Sequence, residues 1–89
     1  MLQIERSNQF KKDLKRALKR GKNPEALKTI IELLANGRPL PVKNRDHKLS
    51  GDYANYRECH IGPDWLLIYF TSNEVLRLER TGTHADLFD

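Results

Sequence analysis

The sequence predicts an α+β fold in which two antiparallel N-terminal helices pack on a small antiparallel β-sheet. Three observations support this. Apolar residues recur every three or four positions through the first 37 residues, they alternate or run continuously from 56 to 80, and short turn signals separate these runs. With 38% hydrophobic and 31% charged residues, the 89-residue chain has the composition of one small globular domain, which we place at residues 1–89.

Residues 1–6 predict a short, half-buried strand before the helices. Leu2 and Ile4 alternate with Gln3 and Glu5, which is the two-residue period of a strand with one buried face. The chain therefore begins with a strand that is separated in sequence from the later ones.

The first helix is predicted to begin at Ser7 or Asn8 and to end at Gly21. A Ser or Asn side chain accepts a hydrogen bond from the free N–H groups of the first turn, and glycine takes the left-handed position that ends a helix. Apolar residues at helical spacing form one stripe, namely Phe10, Leu14, Ala17 and Leu18. Lysine and arginine occupy most of the remaining surface of this helix.

The second helix is predicted from the Asn23-Pro24-Glu25 sequence to Gly37. Asparagine caps the helix, proline fits its first position, and an acid favours the positive helix end. The apolar stripe continues through Leu27, Ile30, Ile31 and Leu34. The short connection after Gly21 makes the two helices antiparallel.

Three strands joined by short turns are predicted in the C-terminal half. Residues 38–52 contain two prolines and no sustained period, so we interpret them as a loop. In residues 56–61, Arg57, Cys59 and Ile61 share one face, whereas Tyr56, Glu58 and His60 share the other. Residues 65–70 are apolar on both faces, which is typical of a central strand, and residues 75–80 complete an antiparallel meander.

Charge and composition limit the possible partners and location. The net charge of +4 favours anionic partners such as nucleic acid, ribosomes or an acidic protein. The first residues lack the apolar segment of a secretory signal, and no run approaches the roughly 18 apolar residues of a membrane span. The single cysteine forms no internal disulfide, so we expect a cytoplasmic protein without membrane association.

A metal site and a cysteine nucleophile are both disfavoured. Cys59 and His60 are neighbours on a predicted strand, so their side chains leave opposite faces, and no ligand pair has the spacing of a zinc motif. The predicted side of Cys59 also carries Ile61 and faces the helices, where a free cysteine packs as a small hydrophobe. We therefore predict no metal and no other cofactor.

RNA cleavage through the 2′-hydroxyl group fits the remaining residues better. That reaction needs a base, an acid and a fixed cation for the charge on phosphorus, and histidine and arginine suit these roles. Each residue taken singly has a simpler interpretation. His47 fits plain surface, His60 fits a structural hydrogen bond, and Trp65 fits core packing. Arg80 and His84 fit ion pairs that involve Glu79 and Asp86.

Three motifs together resemble the YafQ branch of the RelE/ParE toxin superfamily, the mRNA-cleaving toxins of bacterial type II toxin–antitoxin pairs. The motifs are D-H-x-L-x-G at 46–51, H-x-x-P-D-W at 60–65 and E-R-x-G-T-H-A-x-L-F at 79–88. The resemblance is residue by residue over about the last half of the chain and extends as a pattern over nearly all of it. It implies two N-terminal helices on a curved antiparallel sheet, and a ribosome-dependent endoribonuclease that acts on mRNA in the decoding site.

The resemblance also implies which residues act. The active-site residues of the family fall on His47, His60, Asp64, Arg80, His84 and Phe88, with Trp65 beside them. We assign His84 as general acid and Arg80 as the cation that stabilises the transition state. His60, assisted by Asp64 and His47, activates the 2′-hydroxyl group. Trp65 and Phe88 stack on or position bases.

The implied partners are the ribosome, mRNA and a cognate antitoxin. The resemblance implies a dimeric, DNA-binding antitoxin with a segment that wraps the toxin, so that operator DNA is reached only through it. On the first helix, Lys11, Lys12 and Lys15 are candidate RNA contacts, although the same lysines fit a solvated surface. Two other functions stay open, a non-catalytic gyrase poison of the ParE kind and a binding module for RNA or ribosomes.

Overall fold

Five strands form a single sheet in the computed structural model, which describes residues 1–88. In chain order they are β1 (Gln3–Arg6), β2 (His47–Lys48), β3 (Arg57–Gly62), β4 (Trp65–Thr71) and β5 (Val75–Gly82). Their order across the sheet is β1-β5-β4-β3-β2. The meander predicted from residues 56–80 is present as β3, β4 and β5.

The predicted α+β fold, two N-terminal helices on a small sheet, is confirmed, and the one difference is that β1 makes the otherwise antiparallel sheet mixed. β1 runs parallel to β5 and forms one edge of the sheet. The register places Ile4 beside Leu76, and both side chains contribute to the same apolar cluster. Burial of this pair accounts for the position of β1, which no local pattern could indicate.

Helices α1 (Asn8–Lys19) and α2 (Pro24–Ala35) begin and end where the sequence predicts. The Ser7 hydroxyl accepts a 2.8 Å hydrogen bond from the Phe10 N–H, and the Asn23 side chain accepts one of 3.0 Å from the Glu25 N–H. Gly21 has a φ of 86°, the left-handed conformation that ends α1 at low cost.

The buried stripe of α1 differs from the predicted one. Its buried residues are Phe10, Asp13 and Ala17, whereas Leu18 is 43% exposed. A carboxylate therefore takes a position on the inner face of the helix where an apolar residue would be expected. This exchange matters below because Asp13 contacts a predicted site residue.

The predicted loop and the C-terminal tail both contain short elements. Two 3₁₀ turns, Val42–Asn44 and Gly51–Tyr53, flank β2 in the segment predicted as a loop. The tail forms α3 (His84–Phe88). Thr83 and Asp86 cap this helix reciprocally, with the Asp86 N–H donating to the Thr83 hydroxyl and the Thr83 N–H donating to the Asp86 carboxylate. That Thr-x-x-Asp spacing is a capping signal.

The sheet has a helix-covered face and an open face. On the helix-covered face, α1 and α2 pack over a core that includes Cys59, Leu67 and Tyr69. On the open face, Leu66 and Ile68 pack with Leu87 of α3 in a smaller cluster. The helices of residues 1–88 include none with the length and hydropathy needed to cross a membrane.

Two β-bulges interrupt the regular alternation. One lies between His60 and Gly62 in β3, and the other leaves Glu79 of β5 without a partner on β4. A bulge adds one residue to one strand and so changes which face the following residues share. Leu78 pairs with Tyr69 of the helix-covered face, but Arg80 pairs with Ile68 of the open face.

Candidate active site

A row of paired residues crosses the open face of the sheet. His47 of β2 pairs with Glu58 of β3, Glu58 pairs with Ile68, and Ile68 pairs with Arg80 of β5. Directly paired residues of antiparallel strands lie on the same face. Strand register therefore brings together an imidazole, a carboxylate and a guanidinium from distant parts of the sequence.

The three histidines lie in a chain beside this row. The ring centroids of His47 and His60 are 6.5 Å apart, and those of His60 and His84 are 6.0 Å apart. His47 comes from β2, His60 from β3 and His84 from the start of α3. The three imidazoles are thus close enough to reach one nucleotide, and His47, although exposed, lies beside Glu58 and His60.

Asp64 orients the ring of His84. One oxygen of the Asp64 carboxylate accepts two 2.9 Å hydrogen bonds, from the His84 backbone N–H and from its Nδ1. These bonds, that from the backbone first, lower the pKa of Asp64. Because a carboxylate only accepts, Nδ1 carries the proton and Nε2 is left for other partners. Asp64 has a φ of 46° at the turn before β4, a conformation that aspartate tolerates.

Glu58 is the site residue that the predictions missed. Its buried side chain lies between two imidazoles, with Oε1 3.5 Å from His47 Nε2 and 3.7 Å from His60 Nε2. His47 Nδ1 donates to the Arg45 carbonyl oxygen at 2.6 Å, which turns Nε2 towards Glu58. The alternation of β3 had placed Glu58 and His60 on one face, and this was the signal available in the sequence.

The prediction that Asp64 assists His60 was wrong. The carboxylate of Asp64 binds His84, and the carboxylate near His60 belongs to Glu58. The physical reason is that Glu58 lies two residues before His60 on the same strand face, whereas Asp64 follows the turn that begins β4.

Arg80 lies at the rim of the site and is paired with Asp13 of α1. Its Nε donates to Asp13 Oδ2 at 2.7 Å, and its Nη2 donates to Oδ1 at 3.1 Å. The pKa of Arg80 is raised, mainly by this hydrogen bonding and to a smaller extent by the Tyr53 hydroxyl. The alternative ion pairs of Arg80 and His84 with Glu79 and Asp86 are not present. Glu79 binds Arg77, and Asp86 binds Arg20.

Aromatic rings extend the site beyond the histidines. Phe88 is 46% exposed, and its ring lies 6.4 Å from that of His84 and 6.3 Å from that of Tyr53, measured between centroids. Tyr53 in turn contacts Tyr56. Phe88 therefore offers a surface on which a base can stack.

Trp65 does not share this surface, so its predicted role in base stacking does not fit the structure. Its side chain is 3% exposed and belongs to the core under the helices. The alternation of β4 places Trp65 on the helix-covered face, opposite to the neighbouring Leu66. The simpler interpretation, core packing, is the one that the structure supports.

Cys59 is buried, and burial raises the pKa of its thiol to about 12. The prediction that Cys59 packs in the core is therefore confirmed. Within residues 1–88, no group of three or more His, Cys, Asp or Glu side chains has a metal-binding arrangement. The candidate RNA contacts Lys11, Lys12 and Lys15 are all exposed on α1.

This arrangement can support acid–base chemistry on a phosphodiester. It holds imidazoles on two sides, a carboxylate between two of them and a guanidinium at the rim, which are the groups that proton transfer and anion stabilisation require. The open face leaves the rings of His47 and His84 accessible, with about half of each side chain exposed. The site is a shallow surface suited to a polymer substrate.

Comparisons with known proteins find relatives over almost the whole chain. The family model for a bacterial toxin of type II toxin–antitoxin systems, YafQ, matches residues 2–89. The mRNA interferase toxin YafQ of Escherichia coli K12 is 50% identical over 86 residues, which cover 96% of this chain and 94% of that protein.

Solved structures match over the whole length. The crystal structure of YafQ from E. coli BL21(DE3) superposes with a TM-score of 0.94 at 47% identity, covering 100% of both chains. YafQ in the E. coli DinJ–YafQ toxin–antitoxin complex superposes with a TM-score of 0.91 at 48% identity, covering 99% of this chain and 98% of that one.

Proposed function

Because the chain belongs to the YafQ family of toxins of bacterial type II toxin–antitoxin systems, we propose that it is an endoribonuclease that cleaves mRNA in the ribosomal A site. The observation that carries the proposal is the convergence of the three imidazoles, with centroid distances of 6.5 and 6.0 Å. The E. coli relatives named mRNA interferase toxins support the choice of mRNA as substrate.

The reaction begins with attack by the 2′-hydroxyl group on the adjacent phosphorus. His60 takes the 2′-hydroxyl proton, and the Glu58 carboxylate beside it stabilises the positive charge that His60 gains, with His47 assisting from the other side of Glu58. The bond from phosphorus to the 5′-oxygen breaks as the new bond forms. The products are a 2′,3′-cyclic phosphate and a 5′-hydroxyl end, and no metal ion or redox partner is needed to balance the step.

His84 protonates the departing 5′-oxygen. Its Nδ1 is held by Asp64, so Nε2 is the nitrogen that presents the acidic proton when the ring is charged. Arg80 stabilises the negative charge that develops on the phosphate, and Phe88 stacks on an adjacent base. Trp65 supports the start of β4 from the core without touching RNA.

The proposed partners follow from the same surface and family. We assign a DinJ-like antitoxin as the neutralising partner, since the E. coli relative is found in such a complex. Operator DNA is reached only through that antitoxin, and the chain acts in the cytoplasm on ribosome-bound mRNA. A toxin that shifted operator DNA in a gel without any antitoxin would contradict this part of the proposal.

The test is cleavage of an mRNA bound to purified ribosomes, followed by mapping of the new 5′ ends. We expect His84→Ala and Arg80→Ala each to lower the single-turnover rate by about 100-fold or more, since an acid–base group and a charge-stabilising donor each contribute that much. Lys28→Ala, on the exposed surface of α2, is the matched control and should cleave like wild type.

Substrate variants separate the parts of the mechanism. A 2′-deoxy nucleotide at the cleaved position should abolish cleavage at that site, and naked mRNA should be cut far less than ribosome-bound mRNA. Equal cleavage by wild type, His84→Ala and Arg80→Ala would rule out the roles proposed for His84 and Arg80. Cleavage of the deoxy substrate would rule out attack by the 2′-hydroxyl group. Rescue of a phosphorothioate substrate by a thiophilic metal ion would contradict the metal-free step.

A further inference from the structure

The buried carboxylate of Asp13 has no part in the mechanism above. Asp13 lies on the inner face of α1 and is 1% exposed, although a buried charge is costly unless it is paired. Its carboxylate pairs outside α1 with β5, at Arg80 and Thr81. The position of this charge therefore needs an explanation beyond helix packing.

Five hydrogen bonds satisfy the Asp13 carboxylate. The donors are Arg80 Nε at 2.7 Å, Gln9 Nε2 at 3.0 Å, Arg80 Nη2 at 3.1 Å, Arg16 Nη2 at 3.2 Å and the Thr81 N–H at 3.2 Å. Burial acts to raise the pKa of Asp13, but the hydrogen bonds from Arg80, Gln9 and Thr81 outweigh it and the pKa is lowered. The carboxylate is thus held ionised in a fixed orientation.

The pairing with Asp13 uses one edge of the Arg80 guanidinium. Asp13 accepts from Nε and from one N–H of Nη2, so Asp13 uses neither N–H group of Nη1 nor the second N–H of Nη2. The Tyr53 hydroxyl also interacts with the guanidinium. Two nitrogens with parallel N–H groups are what a phosphate accepts bidentately. Because Asp13 holds Nε and Nη2, the remaining N–H groups of the guanidinium keep one direction, which a mobile arginine side chain would not do.

We propose that Asp13 is a positioning residue that fixes Arg80 for the developing charge on the scissile phosphate. The inference rests on the proposed function of Arg80. Asp13 also offsets part of the positive charge of Arg80. The pairing therefore fixes the orientation of the guanidinium but weakens its electrostatic attraction for the substrate. Its contribution therefore lies in the cleavage step and not in substrate binding.

The test is a double-mutant cycle measured on ribosome-bound mRNA. Asp13→Asn should lower kcat by up to about 100-fold, the scale expected from misplacing a catalytic group by about 1 Å, with KM unchanged or lower. In an Arg80→Ala background the same change should alter kcat by less than about twofold, because Asp13 then has nothing to position. Asp13→Glu should recover part of the activity.

A matched control separates positioning from loss of stability. Leu14→Ala, on the same helix and half-buried, should lower the unfolding temperature while leaving kcat intact below that temperature. Wild-type kcat in Asp13→Asn would overturn the proposal. A loss of equal size in the Arg80→Ala background, or a rise in KM that accounts for the whole effect, would also overturn it.

An activity-independent measurement keeps the two proposals distinguishable. In wild type the Arg80 Nε–H signal should be resolved by NMR and exchange slowly with water, and in Asp13→Asn it should broaden or exchange faster. If wild type fails to cleave mRNA, the proposed function fails. The NMR result still decides whether Asp13 holds Arg80, and a fast-exchanging wild-type signal contradicts the positioning.

Discussion

The two faces of the sheet divide the work of this protein. On the helix-covered face, Trp65, Leu67 and Tyr69 of β4 are buried under α1 and α2. On the open face, the alternate residues Leu66 and Ile68 form only a small cluster, and polar side chains from neighbouring strands surround it. Neighbouring residues of β4 thus differ in role, since one face forms most of the core and the other carries the proposed active site.

The largest expected effect comes from replacing the two aromatic residues Trp65 and Phe88, one on each face, by alanine. Trp65→Ala should lower the free energy of unfolding by about 3–5 kcal/mol, the usual cost of emptying a buried aromatic site. Phe88→Ala should leave stability nearly unchanged, because its ring is 46% exposed, and should lower the cleavage rate. Denaturant unfolding and single-turnover cleavage measure the two quantities.

Trp65→Phe is the sharper variant for the first half of this prediction. Among residues 1–88, the Trp65 Nε1 has no hydrogen-bond partner, so phenylalanine loses packing without breaking such a bond. Activity should follow the folded fraction. If Trp65→Phe stayed fully folded but lost RNA cleavage, Trp65 would have a role on the open face that its burial contradicts.

The elements could be predicted from the sequence because their signals are local. The caps at Ser7 and Asn23, the helical stripes and the alternation of β3 each depend on a few neighbouring residues. The position of β1 in the sheet could not be predicted in this way, since its pairing with β5 joins residues about seventy positions apart. The α3 helix has a local signal in the sequence, the Thr83–Asp86 capping spacing.

The site was predictable in its residue types but only partly in its contacts. The motifs brought His47, His60 and His84 together, and the structure places these three in a chain. A bulge at Glu79 makes Arg80 pair with Ile68 of the open face, whereas regular alternation after Leu76 and Leu78 would put Arg80 on the helix-covered face. The contact between Asp13 and Arg80 could not be predicted, because the two residues are 67 positions apart in the sequence.

The dependence of stability on acid pH tests the contact between Asp13 and Arg80, which joins α1 to β5. The pKa of Asp13 is lowered by folding, so its ionisation stabilises the folded state above its ordinary value of 3.8. That stabilisation is lost as the pH falls through 3.8 towards the folded-state pKa. Asp13→Asn should therefore show a shallower fall of the unfolding free energy between about pH 5 and pH 2 than wild type.

The comparison uses the slope with pH and not the absolute stability, since the variant also loses hydrogen bonds. The pKa values of Asp64 and Asp86 are lowered too, through bonds from His84 and from Arg20, so part of the slope should remain. Urea unfolding at several pH values supplies the measurement. Identical slopes in wild type and variant would show that Asp13 is not held ionised in the folded protein.

The smallest effect is expected on a third surface, the outer side of α1. Lys11, Lys12 and Lys15 are exposed there and form no ion pair with an acid of residues 1–88. If they contact ribosomal phosphates, each change to glutamine should make the dependence of log affinity on log salt shallower by about 0.7–0.9.

The position of cleavage should not change in these lysine variants, because phosphate contacts position a protein without reading sequence. Lys28→Gln on α2 is the control of equal charge change and should leave the salt dependence as in wild type. A new codon preference at unchanged affinity would mean that α1 lies against the codon itself. The division between an open catalytic face and a supporting helical layer would then have to be redrawn.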